Sequence, residues 1–558
     1  MRSMFSKQTP VDECEGKRKL SPESGNIMLL FTLLLPTLLI PLAGLAIDGS
    51  IARLAQIRLQ AAVDGAVLGA GRELGTAAIP ETLAAEFLAA NFRTDNSAGT
   101  WGAHGLNSVI VYTPGITKKI DVTATALVPL LFMRIFGKSD ATIAATGSAT
   151  RSDSRVVWVI DRSGSMNTSD GSGSLVITDA INYTTSLVNR FLEGSDELGL
   201  VVFDGSAVVG YPTGPWSPTI SKMGTGGPNK IFLDGTGNDL PHQLAAIHAN
   251  SGTGMAEAIS IAYIELQKAH MRDLQADGVD PRLNSIVLLT DGVPSAVSIY
   301  FNNPANSNAE NVMNNNAGAG KTCVNRTITT ETTDTMMQGW IAVGGNPPYS
   351  GTTPAGVYLM ATKDAANRTS NWWMSFGGAA IAADVAAPNP DTPFTGCPNM
   401  TNSGGNPYNY LSRIPIVDLY GNLLNTGGYV NSQVIGGAGK PVYIKGSPLN
   451  LTQVSQNYQW GLAMWNAADN AAMNARNDVN LVNRAGDTTG DMNIQFYVIG
   501  YSGTTGCDQG LLKRIANDKT AVGYDSTQPT GQYYSAANGA ELADAYNKLA
   551  SDLLRLSR

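Results

Sequence analysis

The chain has 558 residues, more than one ordinary domain, so its length predicts two or three domains. Hydrophobic residues make up 43% and charged residues only 15%, which fits a globular protein and excludes a basic nucleic-acid binder or a surface rich in ion pairs. The formal net charge of −8 is mild for this length, and four cysteines are too few for a disulfide scaffold.

An apolar segment near the N-terminus predicts a membrane anchor. Residues 27–47 carry no charge, and as a helix these 21 residues would span about 31 Å, close to a hydrocarbon core of about 30 Å. Five basic residues precede the segment, whereas only Arg53 and Arg58 occur in the twenty residues after it. The positive-inside rule therefore predicts a single pass of the inner membrane by residues 25–47, with residues 1–24 cytoplasmic and the bulk periplasmic or extracellular.

A cleaved signal peptide is the alternative, because residues 44–46 offer small side chains for a peptidase. The apolar run exceeds the usual 7–15 residues of such a peptide, which favours an uncleaved anchor. The sequence leaves N-terminal processing open.

Residues 48–150 predict a small α+β module. A helix is expected over residues 51–74, with small residues on one face, namely Ala55, Ala62, Ala66 and Gly69. This face favours packing of the helix on its own module over self-association beside the membrane. Strands are predicted over 108–112, 120–125 and 141–150, and a short helix over 128–136.

Several segments of this part resemble the TadG-like proteins of Flp/Tad (tight adherence) pilus assembly. The resemblance is carried by residues 24–26, 45–48, 58–66 and 132–137. It implies a membrane-anchored pilus-assembly or adhesion protein, and a C-terminal von Willebrand factor A (vWA) domain occurs in many members.

A short β-branched run, residues 156–160, predicts a buried parallel strand that ends at Asp161. Ser163 and Ser165 follow on the loop at its carboxyl end, where ligands bind in open α/β sheets. A second such strand, residues 285–290, ends at Asp291, and a glycine turn at Thr253 opens a helix between the two strands. We therefore expect five oxygen-bearing side chains at one edge of the sheet.

Asp161, Ser163, Ser165, Thr253 and Asp291 resemble, in this order and context, the metal-ion-dependent adhesion site of vWA domains. The resemblance implies a doubly wound, Rossmann-like α/β fold and a divalent cation, Mg²⁺ or alternatively Mn²⁺ or Ca²⁺. Oxygen ligands of this kind suit such hard cations. The predicted vWA domain has two parts, residues 151–294 and 456–558, separated by a folded insertion over 295–455 that is nearly neutral in charge.

Cysteines and charged loops outside this site give weaker signals. Cys323, Cys397 and Cys507 lie on the predicted outer side, where disulfides persist, and three cysteines allow three different single pairings. Asp204 lies at the end of a strand predicted over 198–203. We interpret it as a solvated turn residue rather than as a carboxylate that supports the metal site.

Two hypotheses of function follow. In the first, the protein is not an enzyme, and its metal accepts a carboxylate from a protein partner, with other Tad pilus components and the membrane as further contacts and no nucleic acid. In the second, the same metal serves a cell-envelope hydrolase. No catalytic residue is assigned, because neither Ser163 nor Ser165 lies in a G-x-S-x-G motif and no histidine is placed by motif as its base.

Overall fold

The structure is a computed structural model. It describes residues 28, 30–74, 79–94, 100–302 (except 172, 213–220, 222, 225–230, 236, 250–251, 279 and 281), 321–323, 326–328, 337–342, 356–359, 414–425, 457–478, 492–502 and 507–553. Contacts divide the chain into two units, which are described separately. The first holds residues up to 113 together with 119–150, and the second holds 114–118 and residues from 151 onward.

One helix among the described residues, Leu30–Gly71, is long and apolar enough to cross a membrane. A π-helical turn at Leu35–Leu39 contains Pro36, which lacks the N–H that a regular helix needs, and α1 (Ile40–Arg72) follows. Leucine side chains at 38, 42 and 45 are exposed, as expected for a segment whose solvent is lipid.

The first unit packs two helices on a three-stranded sheet. Its elements are α1, α2 (Pro80–Asn91), β1 (His104–Thr113), β2 (Thr117–Pro129) and β3 (Asp140–Ser152). The strand order is β1-β2-β3, and β1 and β2 are antiparallel. The small face of α1 lies in this core, with Ala55 and Ala66 fully buried, so the expectation that the helix packs on its own module is confirmed.

The predicted helix over 128–136 is wrong. β2 continues to Pro129 because Ala124, Ala126 and Val128 keep the period of two that buries one face of a strand. Only a single 3₁₀ turn, Met133–Phe136, follows it.

The second unit alternates strands and helices. Its strands are β4 (Ser154–Asp161), β5 (Glu197–Phe203), β6 (Ala207–Tyr211), β7 (Leu283–Thr290), β8 (Ala296–Asn302), β9 (Lys321–Cys323), β10 (Arg326–Ile328), β11 (Met337–Ala342), β12 (Gly356–Leu359), β13 (Gln495–Tyr501) and β14 (Gln532–Ala536). Its helices are α3 (Val176–Val188), α4 (Leu240–Ala245), α5 (Met255–Asp277), α6 (Asn457–Arg476), α7 (Gln509–Ala516) and α8 (Gly539–Leu553).

A six-stranded sheet of order β14-β13-β7-β4-β5-β6 forms the centre of this unit. All neighbouring strands are parallel except β6, which runs antiparallel to β5. Val157 and Val159 of β4 pack on the side of α5, α6 and α7, whereas Val156, Trp158 and Ile160 pack on the side of α3 and α8. The sheet is therefore doubly wound, with helices on both faces.

The last strand and the last helix complete this unit. β14 forms one edge of the sheet, beside β13. The closing helix α8 is capped at its start, since Asn538 Oδ1 accepts from Glu541 N at 3.0 Å and Glu541 Oε2 accepts from Ala537 N at 2.9 Å.

The two ends of the predicted insertion are built into the core of the second unit. β8 pairs with β11, and β11 with β12, while β9 and β10 form a separate hairpin. Ile299, Ile414 and Leu424 are fully buried in the cluster that contains α5 and α6. Two asparagines of α6, at 466 and 470, donate to the backbone carbonyls of residues 424 and 423. Most of the remaining insertion lies outside the described residues.

Glu257, in the first turn of α5, joins these ends to the sheet. Its carboxylate is 2% exposed and accepts from Tyr420 Oη at 3.0 Å, Ser298 Oγ at 2.5 Å and Ser206 Oγ at 2.9 Å. One buried carboxylate thus holds β8, residues 414–425 and the loop before β6 against α5.

Candidate metal centre

The five predicted residues lie at the carboxyl edge of the central strands. Asp161 ends β4, and Asp291 directly follows β7, its parallel neighbour, in which Leu289 pairs with Ile160. Thr253 lies on the loop that opens α5. The order of the strands reverses at β4, because β5 lies on one side of it and β7 on the other. Such a switch point is where open α/β sheets bind ligands.

Asp161 is fully buried, and both of its carboxylate oxygens accept hydrogen bonds from the protein. Ser163 N donates to Oδ1 at 2.7 Å, and Thr290 Oγ1 donates to Oδ2 at 2.5 Å. Asp161 therefore fixes the start of the loop that carries the two serines and ties that loop to the end of β7.

The two serine hydroxyls converge on Asp291. Ser165 Oγ donates to Asp291 Oδ1 at 2.8 Å, Ser163 Oγ lies 3.5 Å from the same oxygen, and the two hydroxyl oxygens are 2.9 Å apart. The other carboxylate oxygen, Asp291 Oδ2, is buried and has no hydrogen-bond partner. A buried carboxylate oxygen without a donor is costly, and a cation bound beside it would offset that cost.

The Thr253 hydroxyl lies beside Gly292, as the Ser165 hydroxyl does. A Cβ atom placed on Gly292 would lie 3.5 Å from Thr253 Oγ1 and 3.6 Å from Ser165 Oγ, so both hydroxyls face the same side of the glycine. The threonine backbone is fixed by Ser295, whose Oγ accepts from Thr253 N at 2.9 Å. The structure thus brings all five predicted residues to one place.

Sequence reasoning missed a buried ion pair that supports two of these loops. Arg162 Nη2 lies 2.7 Å from Asp204 Oδ2, and both side chains are 1% exposed. The Asp204 carbonyl accepts from Gly254 N, and a Cβ on Gly254 would lie 2.7 Å from Gly205 O, so only glycine fits there. The expectation of a solvated Asp204 is therefore wrong, because its carboxylate pairs with an arginine inside the D-x-S-x-S loop.

Electrostatics at the site disfavour two bare carboxylates. Burial raises the pKa of Asp161, and the neighbouring charge of Asp291 raises it further. Burial also raises the pKa of Asp291, against the hydrogen bonds from Ser165 and Ser163. A cation between these groups would lower both pKa values and stabilise their ionised forms.

The donor set fits a hard divalent cation. Among the described residues there is no cluster of three or more His, Cys, Asp and Glu side chains placed to hold a metal. A site at this edge would therefore consist of hydroxyl oxygens and two acids, a set that suits Mg²⁺, Mn²⁺ or Ca²⁺. The unsatisfied Asp291 Oδ2 lies beside these hydroxyls, where such a cation would compensate it.

Cys507 is a free thiol, 3.7 Å from Tyr533 Oη, and burial raises its pKa. This raised pKa disfavours the thiolate, which is the reactive form of cysteine. The side chains of Cys323 and Cys397 lie outside those that the structure describes.

The doubly wound sheet, with its antiparallel edge strand and its D-x-S-x-S loop at the switch point, defines the second unit as a vWA domain. Residues 25–73 match the family model described as Flp pilus-assembly TadE/G-like. The chain thus combines a TadE/G-like N-terminal segment with a vWA domain, in the order that its sequence predicts.

Solved structures with detectable similarity include pilus proteins. A D319A mutant of the PilB minor pilin from Streptococcus sanguinis is 13% identical at a TM-score of 0.32, covering 80% of this chain and 78% of that one. The vWF domain of the type V pili tip protein Mfa5 from Porphyromonas gingivalis is 14% identical at a TM-score of 0.29, covering 72% and 95%. A von Willebrand factor type A structure from Catenulispora acidiphila is 19% identical at a TM-score of 0.19, covering 34% and 33%.

No curated protein matches the chain. At these TM-scores we infer nothing about function from the solved structures, and the vWA assignment rests on strand order and on the loop.

Proposed function

We propose that this protein is a membrane-anchored component of Flp/Tad pilus assembly or adhesion. Its vWA domain binds a protein partner through a divalent cation held by Asp161, Ser163, Ser165, Thr253 and Asp291. The observation that carries the proposal is the buried, unpartnered Asp291 Oδ2 beside the paired serine hydroxyls.

The roles of the residues follow from their hydrogen bonds. Both oxygens of Asp161 already accept donors, so this residue positions the serine loop and acts on the cation through water. Ser163, Ser165 and Thr253 contribute neutral oxygens, and Asp291 contributes the free carboxylate oxygen. A divalent cation with so few negative ligands supplies residual positive charge, which attracts a carboxylate from the partner.

The same arrangement supports binding rather than hydrolysis. Ser163 Oγ and Ser165 Oγ bond with each other and with Asp291, so the hydroxyls act as oxygen ligands directed at a cation. Among the described residues neither hydroxyl donates to a histidine, the most frequent general base for a serine nucleophile. We therefore propose a non-enzymatic protein.

The proposed location is the inner membrane, with residues 1–24 in the cytoplasm and the vWA domain in the periplasm or beyond. The helix Leu30–Gly71 and the charge difference across its apolar part support this orientation. Partners are other Tad pilus components, and no surface for nucleic acid is proposed.

Titration calorimetry with Mg²⁺ and with Mn²⁺ on the full-length protein in detergent tests the metal site. Thr253→Ala should weaken binding of either ion at least about tenfold, because it removes one of a few oxygen contacts. Thr527→Ala, which removes an exposed loop hydroxyl bonded to Asp525, is the matched control and should bind as the parent does. Absence of binding to the parent protein would refute the metal site.

Deletions within the insertion offer a second test. Deleting residues 300–450 would remove Ile414 and Leu424 from the core and Tyr420 from Glu257, so that variant is expected to be destabilised. A shorter deletion, residues 361–412 replaced by a glycine-serine linker, keeps these contacts. We expect this variant to fold, to bind Mg²⁺, and to lose partner binding, and unchanged partner binding would show that the deleted part is dispensable.

A further inference from the structure

The loop between β2 and β3, residues 130–139 (the β2–β3 loop), exposes large apolar side chains. Leu131 is 63% exposed, Ile135 is 78% exposed and Phe136 is 59% exposed. Arg134 and Lys138 lie in the same loop. Such a group of exposed apolar residues, with basic residues beside it, is typical of a surface that contacts another apolar phase.

Asp48 attaches this loop to the long N-terminal helix. Its carboxylate accepts from three consecutive backbone N–H groups, those of Leu131 at 2.9 Å, Phe132 at 3.0 Å and Met133 at 2.9 Å. Asp48 itself is 2% exposed. Three backbone donors on one carboxylate fix the position of the loop along the helix axis.

A close approach one turn earlier in the helix strengthens the attachment. A Cβ atom on Gly44 would lie 2.5 Å from Cβ of Phe132 and 2.6 Å from its Cγ, so Phe132 packs directly on the glycine backbone. Any larger residue at position 44 would displace the loop. The phenylalanine is thus held beside the apolar run that precedes Asp48.

The position along the helix defines what surrounds the loop. Asp48 is the first charged residue after the apolar run 27–47, so it marks the level at which a spanning helix leaves the hydrocarbon. The β2–β3 loop, fixed to Asp48 and Gly44, lies at the same level. Its exposed apolar side chains then meet acyl chains, and Arg134 and Lys138 meet lipid phosphates.

We propose that the β2–β3 loop inserts into the bilayer that the N-terminal helix spans, in the leaflet where the helix emerges. The loop is a second membrane contact, which orients the first unit on the bilayer surface. This proposal depends on the spanning helix and is independent of the metal site.

Photo-crosslinking of the purified full-length protein tests the proposal. The photoreactive residue p-benzoylphenylalanine replaces Ile135 or Phe136, and the protein is reconstituted in vesicles of phosphatidylethanolamine and phosphatidylglycerol. Both side chains are exposed, so the replacements leave the core intact. We expect lipid adducts, detected by mass spectrometry, at both positions.

Val109, on the exposed face of β1 and 61% exposed, is the matched control position. It pairs with Thr123, six residues before the end of β2 at Pro129, which corresponds to about 20 Å of strand. The same probe there should give no lipid adduct. Equal labelling at 109, absence of lipid adducts at 135 and 136, or adducts only to a second protein chain would each overturn the proposal.

Discussion

Replacing Asp291 by asparagine should raise the stability of the protein in chelator, and this advantage should be lost in Mg²⁺. The variant keeps a side-chain oxygen that accepts from Ser165. It removes the negative charge of the carboxylate, whose Oδ2 has no hydrogen-bond partner. Burial raises the pKa of Asp291 to about 6, so at pH 7 its ionised carboxylate lowers the stability of the folded state, whereas a neutral amide carries no such charge. In chelator at pH 7, Asp291→Asn should therefore be more stable than the parent by up to about 3 kcal/mol.

In Mg²⁺ this advantage of the variant should be largely lost. At a free concentration of 100 times Kd, a ligand that binds only the folded state stabilises it by about 2.7 kcal/mol. The parent should gain this free energy of unfolding, whereas Asp291→Asn, having lost one of two anionic groups at the cation, should gain almost none. Urea titrations in chelator and in Mg²⁺ measure both differences, with Asp121→Asn, a change at an exposed acid, as control.

Two results would refute this reasoning. One is a parent protein that Mg²⁺ does not stabilise. The other is an Asp291→Asn variant that gains as much stability from Mg²⁺ as the parent does, because the free carboxylate oxygen would then have no part in binding.

Three further predictions concern the fold and the membrane. Arg155→Leu should cost about 3–5 kcal/mol or prevent folding, because it removes the fully buried cation that Glu197, Asp273 and Asp280 share and leaves their charges to Arg272, Arg282 and His270 at the edge of the cluster. Lys119→Ala at an exposed pair should change stability by less than about 1 kcal/mol in the same urea titration. Burial raises the pKa of Asp508 to about 6, so its ionised carboxylate lowers stability above that pH but not below about pH 4. Asp508→Asn should be up to about 3 kcal/mol more stable than the parent at pH 7 and equally stable at pH 4. A stability difference that does not change with pH would contradict this prediction. A phosphatase fused to the C-terminus should be active and a reporter that works only in the cytoplasm silent at the same position, with the opposite pattern refuting the orientation.

The elements that form the metal centre could be predicted because their signals are local. β4 and β7 are short apolar runs buried on both faces; β4 ends at Asp161, and Asp291 directly follows β7. The glycine turn at Thr253 similarly indicates the start of α5. Parallel strands place their carboxyl ends at one edge, so local patterns were sufficient to bring the five residues together.

The remaining features depend on contacts between distant parts of the chain. Asp204 is buried only because Arg162 folds back onto it, 42 residues away in sequence. Asn422 donates to Ser260 Oγ at 2.9 Å, across 162 residues, in a segment with little hydrophobic pattern. β14 likewise has few apolar residues and forms an edge strand through pairing with β13. No local periodicity encodes such contacts.

The buried carboxylate of Glu257 ties together segments that are far apart in the sequence. It accepts the hydroxyls of Tyr420, Ser298 and Ser206, and it lies in the first turn of the helix that begins beside Thr253. A hydrogen bond to a charged group contributes about 1.5–3 kcal/mol, so withdrawing Tyr420 from this carboxylate would carry a cost of that order. Residues 414–425 are therefore energetically coupled to the start of α5 and do not move independently of it.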